Sequence, residues 1–348
     1  MSGPGLGIGP GLGAGGIGSG VGGSGSGPGP GGIGSGAGPG GVGSGAGAGG
    51  SGSIGGMVMS PIYPTPGRGN LWTRPPTVEG MLAPEVVAYY EQGAEQDRLT
   101  ARVGRVEWAR TWDLLERFLP GPPATILDVG GGPGAYAVPL ALAGHAVHLV
   151  DAMPLHVRQA REAAAAAEVG LASAEVGDAR SLAAADGSAD AVLLLGPLYH
   201  LLEPADRHAA LTEALRVLRP GGVLLAAGIS RFASFIEGVH SGWAGEHPEI
   251  VESGLHTGTH RNPDAVARRF TTAHFCRPEE LAVEVAGAGF DLTAVVAIEG
   301  PAGLAQDPDG WLDDPRRRAW LLRQLRRVEA EPSLLGASPH LMAVARRP

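Results

Sequence analysis

Between residues 124 and 229 the apolar positions come in short unbroken runs, and helical stripes lie before, between and after them. The runs at 124–129, 146–150, 172–176, 190–195 and 223–229 lack polar alternation, which suits strands buried on both faces of a parallel sheet. Stretches 135–143, 154–169 and 204–218 have helical length, and Pro154 and Pro204 are acceptable in a first turn. Two further helices are predicted at 84–99 and 105–119, the second with Val106, Trp108, Trp112, Leu115 and Leu119 at core spacing. Such alternation predicts a doubly wound α/β sheet with ligands at the carboxyl ends of its strands. The rhythm lapses over 230–275, returns with a helix at 278–288 and a strand at 292–298, and lapses again over 300–339 around a helix at 315–328. A last strand at 340–345 makes the final pair antiparallel, so seven strands are expected.

The polar residues with chemical capacity fall where these strands end. Residues 126–151 read as strand, glycine loop, helix, strand, with Gly130, Gly131, Gly132 and Gly134 directly after the first strand and Asp151 after the second. Glycines there let a ligand approach bare backbone, the following helix offers free N–H groups, and Asp151 stands where ribose hydroxyls would lie. Gly130, Gly132 and Ala135 satisfy a dinucleotide fingerprint, whereas Asp128, Gly130, Gly132 and Gly134 spell the first motif of the class I S-adenosylmethionine (SAM) methyltransferases. A tight turn without any cofactor would also use these glycines. These residues alone leave the three readings open.

The other strand ends add Gly177, Asp178 and Ala179 after the third, Leu195 to His200 after the fourth, and the turn Leu218, Arg219, Pro220, Gly221, Gly222 before the fifth. With all five in register, the chain from about Tyr89 to Arg346 resembles a bacterial class I SAM-dependent methyltransferase of the "methyltransferase domain" type. The resemblance implies a Rossmann-like sheet of seven strands, SAM as cofactor and a small-molecule methyl acceptor. It implies that the backbone of 130–134 touches the methionine and ribose portions, with Asp128 orienting the loop and favouring the ammonium. Asp151 would accept from the ribose and Asp178 from the adenine amino group, while Ala152, Met153 and Ala179 cover the ring; Leu195 belongs to the same site. Tyr199 and His200 would face the acceptor, to shape its pocket or to take its proton. Gly196, Pro197, Leu198 and Tyr199 lack the amide and second proline of the adenine and glutamine N-methyltransferases. An NAD(P)-dependent oxidoreductase and a SAM-binding regulatory protein without turnover are the alternatives.

Composition changes this picture mainly at the start of the chain. Of 59 glycines, 30 fall in residues 1–56, and no charged residue precedes Arg68. Such a segment buries no core and is expected to be a disordered tail, followed by a Pro-rich linker at 57–82 and the domain at 83–348 with insertions 230–275 and 300–339. Met57 and Met59 stand where low complexity ends, so the tail is either an over-extended reading frame or a tether. No span, signal or disulfide framework is expected, and with the single Cys276 the protein is expected in the cytoplasm. The net charge of −9 argues against nucleic acid as a partner, and all 26 basic residues are Arg, which lowers the meaning of the Arg-rich helix at 315–328. There Trp320, Leu321, Leu325 and Val328 are expected to pack. His240, Trp243, His247, His256, His260 and His274 accumulate in the first insertion at no metal-ligand spacing, so no metal is expected.

Overall fold

The computed structural model describes residues 80–100, 103–262 and 269–348. The expectations for the tail at 1–56 and for most of the linker at 57–82 lie outside the described residues. The first helical stripe is broken: α1 spans Pro84–Tyr90, and Gly93, at φ +75°, turns the chain into a separate 3-10 helix over Ala94–Thr100. A side chain rarely adopts that backbone conformation, so the single helix expected over 84–99 cannot form. Helix α2 (Val103–Phe118) follows, then β1 (Thr125–Val129), α3 (Ala137–Leu142), β2 (Ala146–Asp151), α4 (Pro154–Ala166), β3 (Ser173–Val176) and β4 (Ala189–Leu194). The chain continues through α5 (Pro197–His200), α6 (Pro204–Val217) and β5 (Leu218–Ser230).

Strands β1 to β5 are parallel in the order β3-β2-β1-β4-β5. Alternate side chains divide between two cores. Leu127, Val129, Val192, Leu194 and Leu224 pack with α6, while Ile126, Leu149, Ala191, Leu193 and Leu225 pack with α2, α3 and α4. Both faces of the sheet are therefore covered, which is why its strands are apolar without a break.

The segment expected to be irregular holds α7 (Ala233–His240), α8 (Pro248–Thr257) and two short strands, β6 (Thr259–His260) and β7 (Ala273–Cys276). Beyond it come α9 (Pro278–Gly287), β8 (Asp291–Ala297), α10 (Pro308–Leu312), α11 (Pro315–Val328), α12 (Pro332–Leu335) and β9 (His340–Arg346). β9 runs antiparallel to both β5 and β8, completing the seven strands expected. β7 is an addition: it pairs in parallel with Ile229 and Ser230, at the very end of β5. Ile229 already meets His340 of β9 on one edge, and β4 leaves β5 at Ala226 on the other. β7 must therefore lie past the end of β4, as a roof over the carboxyl edge of the sheet.

One expectation about packing changes, and one buried charge is added. On α11 only Leu325 is buried, and Trp320 is exposed and stacks on Trp311 at 5.6 Å. The inner face of α2 carries a buried charge: Arg110, 0% exposed, pairs with Asp113 and Glu329 and donates to the carbonyl of Ile298. Arg326 of α11 closes on Asp113, so α2 and α11 are joined by ion pairs as much as by apolar contact. Among the described residues no helix is long and apolar enough to cross a membrane.

Candidate active site

A cleft of about 670 Å³, part of it open to solvent, lies at the carboxyl ends of β1, β2 and β4. Gly130, Gly132, Asp151, Ala152 and Met153 line it from the first and second strand ends. Asp178, Ala179, Tyr199 and His200 line it from the third and fourth, so nine of the twelve residues singled out in the sequence meet there. Gly130, at φ +72°, touches the helix that carries Tyr199: a Cβ at Gly130 would come within 2.5 Å of Pro197. Gly134 lies off the wall, where its missing side chain lets α4 approach at Ala160. Leu195 also lies off the wall, and its carbonyl accepts the Tyr199 hydroxyl at 3.1 Å.

Asp151 anchors the loop. One carboxylate oxygen accepts from the Gly132 N–H at 2.8 Å and the other from the Met153 N–H at 2.8 Å, with His156 Nδ1 at 3.1 Å from the latter oxygen. Asp178 accepts from the backbone and guanidinium of Arg180, which also reaches Asp206 at 3.1 Å. Asp128 sits behind the loop, fully buried, and neither of its oxygens has a hydrogen-bond partner. Burial, and then the nearby charge of Asp151, push its carboxyl up to about 7.

His200 is held by a residue that sequence spacing could not pick out. Its Nε2 lies 2.6 Å from the Tyr90 hydroxyl, 110 positions away, and the Tyr90 ring also meets His156 edge-on at 5.0 Å. Burial pushes the His200 imidazole down to about 4, so it is neutral at physiological pH. Burial likewise raises the Tyr199 and Tyr90 hydroxyls.

A second, larger cavity of about 1850 Å³, again counting its open mouth, adjoins the cleft under α7 and the roof strands. Rings form part of its wall, among them Tyr89, Trp243, His260, Phe270 and Phe275, beside charged side chains such as Arg98 and Glu237. Of the His-rich segment, His240, Trp243 and His260 face this cavity. The two spaces share three side chains: Tyr90, Glu95 and Tyr199. Near the far wall, ligand-type atoms of Glu107, Glu299 and His340 lie within 4.8 Å of one another. Their charges are already balanced, because Arg98 forks onto Glu107 and His340 Nδ1 meets Glu299 at 2.6 Å. The carboxylates raise that imidazole to about 9, although burial works against them, so the cluster holds an imidazolium and a guanidinium.

Residues 126–222 match the family model described as "Methyltransferase domain". A ubiquinone biosynthesis O-methyltransferase of Methylocella silvestris is 32% identical over 205 residues, covering 56% of this chain and 71% of that protein. The chain belongs to the class I SAM-dependent methyltransferases. A second relative, a ubiquinone biosynthesis O-methyltransferase of Caulobacter vibrioides, is 30% identical over 190 residues, and the match spans 64% of its length. In fold, the chain is similar to the PH0226 protein of Pyrococcus horikoshii OT3, with a TM-score of 0.50 at 16% identity, over 75% of this chain and 99% of that one. The family membership decides against a nicotinamide oxidoreductase on this sheet.

The donor set suits the methyltransferase cofactor, SAM. Asp128, a buried carboxylate without partners directly under the loop at Gly131, is a place that favours a cation, and the methionine end of SAM carries an ammonium. The Asp151 oxygens each accept one backbone N–H and keep lone pairs for ribose hydroxyls. Asp178 is already ion-paired with Arg180, and Met153 and Ala179 line the cleft beside it.

Proposed function

We propose that this protein moves the methyl group of SAM to a hydroxyl oxygen of an aromatic small molecule held in the ring-lined cavity. The observation that carries this reading is the common wall of Tyr90, Glu95 and Tyr199, through which the cleft and the cavity adjoin. When bound, SAM supplies an electrophilic methyl group on a sulfonium. The chain's part is to align two reactants and to keep water away, which can replace much of the barrier otherwise due to orientation. Met81 and Leu82 close the cleft from outside, and Asp151 ties the Gly132 loop in place. Tyr90 and Tyr199 turn ring surface toward the aperture, where an aromatic face favours a cationic centre. The relatives' description as O-methyltransferases supports oxygen as the acceptor atom, and the rings of the larger cavity support an aromatic acceptor. We place the reaction in the cytoplasm, consistent with the single, buried and unpaired Cys276.

Calorimetry with SAM and with NADH tests the cofactor, and transfer of isotopically labelled methyl from SAM into a metabolite extract tests turnover. SAM binding is expected and NADH binding is not. SAM binding without any labelled product across aromatic hydroxyl compounds would instead favour a regulatory SAM-binding protein.

A further inference from the structure

We propose, on the basis of the methyl-transfer reading above, that Glu95 is the catalytic base that takes the proton of the acceptor hydroxyl, and that the acceptor is a phenol or enol. A side chain that borders both the cofactor cleft and the acceptor cavity stands where the acceptor oxygen meets the methyl group, within reach of its proton. Among the described residues three side chains do so, and two of them are tyrosines whose hydroxyls burial makes harder to ionise, with Tyr199 bonded to the Leu195 carbonyl and Tyr90 to His200. His200 borders the cleft and not the cavity, the Tyr90 hydroxyl occupies its Nε2, and its Nδ1 is buried away from the cavity wall. Glu95 is the remaining group, and it is a carboxylate.

The surroundings fix that carboxylate. Arg98 Nε donates to Glu95 Oε1 at 2.8 Å, and the other two nitrogens of Arg98 are clamped by Glu107 at 2.5 and 3.0 Å. The arrangement engages Oε1, so the acceptor proton is assigned to Oε2. Titratable groups facing it are Arg98 from its own turn, Tyr89 and Tyr90 from α1 and Tyr199 from α5, with Glu107 of α2 behind Arg98. In the transfer, the acceptor proton goes to Glu95 Oε2 as the acceptor oxygen bonds to the methyl carbon. The carbon–sulfur pair stays on sulfur, so a sulfonium and a carboxylate become a neutral thioether and a neutral carboxyl. A carboxylate is a poor match for an aliphatic alcohol and a better one for a phenol or enol, whose proton is more acidic.

The test uses 4-nitrophenol, whose ionised form absorbs visible light, titrated over pH 5–10 into protein saturated with S-adenosylhomocysteine. In the unaltered protein the bound probe is expected to hold its proton against the adjacent carboxylate, with its pKa raised by about 1 unit or more. Glu95→Gln is expected to abolish that rise, and Glu95→Asp, which keeps the charge, to retain most of it; a folding defect or lost packing would not sort the two variants by charge. The same bound pKa in Glu95→Gln and the unaltered protein, or failure of the unaltered protein to take up the probe, would overturn the proposal. SAM calorimetry on the same proteins, prepared free of S-adenosylhomocysteine, separates the two readings. Absence of SAM binding overturns methyl transfer itself, whereas normal SAM affinity with an unchanged probe overturns only the role of Glu95.

Discussion

Asp128 carries a cost that the cofactor would relieve. Its folded pKa of about 7 lies above the usual carboxyl value of 3.8, so the folded state binds the proton more tightly than the unfolded one. Stability from this group is therefore full at low pH and is lost as pH rises from about 4 through 7. Asp128→Asn should flatten that decline in the cofactor-free protein, and SAM should stabilise the unaltered protein more than the variant at pH 8; melting temperature against pH reads both. Asp151→Ala should weaken SAM binding by about 1 to 3 kcal/mol, because ribose hydroxyls and the Gly132 and Met153 N–H groups lose their acceptor. Unchanged calorimetric affinity in a folded variant would reduce Asp151 to a loop anchor. Asp151, Asp178, Tyr199 and His200 were legible because each follows a strand end, a position that the apolar pattern defines. Tyr90, His156 and Glu95 were not, since they join the site only through packing: Tyr90 comes from a helix far away in sequence, and no local spacing links it to His200.

At the level of elements, the ion pairs between α2 and α11 set the position of the second insertion. Removing Arg110 would leave Asp113 and Glu329 buried beside a vacated guanidinium site, so Arg110→Ala should cost about 3 to 5 kcal/mol in chemical denaturation. A loss below about 1 kcal/mol would mean that the remaining arginines, Arg117 and Arg326, carry the compensation. Helix α11 was readable over its full length, Pro315–Val328, because Pro at its first position and an uninterrupted run of helix formers mark it. Its packed face was read correctly at Leu321 and Leu325 and wrongly at Trp320, which satisfies helical spacing yet stacks on Trp311 at the surface. β6 and β7 left no signature in the sequence, since β6 has two residues, β7 is interrupted by His274, and neither stands in the strand and helix alternation that marked β3.

For the whole molecule, the parallel sheet with its antiparallel last strand and the carboxyl edge as the place of the cleft followed from the alternation of apolar runs and glycine turns, whereas the order of the strands did not. The size of the second cavity did not, because it depends on α7 and β7 folding back over β5. Deleting residues 1–56 should leave melting temperature and SAM affinity unchanged, since that segment has no charged residue and little apolar content; a fall in either would show that it docks. Helix α1 is the other element with molecule-wide reach. Met81 and Leu82 just before it cover the cleft, Tyr89 faces the cavity and Tyr90 borders both. Entry or exit at either space therefore disturbs the same short segment, and the residence times of the two ligands should be linked. In stopped-flow displacement, a saturating occupant of the cavity should slow the departure of S-adenosylhomocysteine, and Tyr90→Ala should release it early. The demethylated cofactor would then leave after the methylated product, giving turnover a compulsory order set by one door.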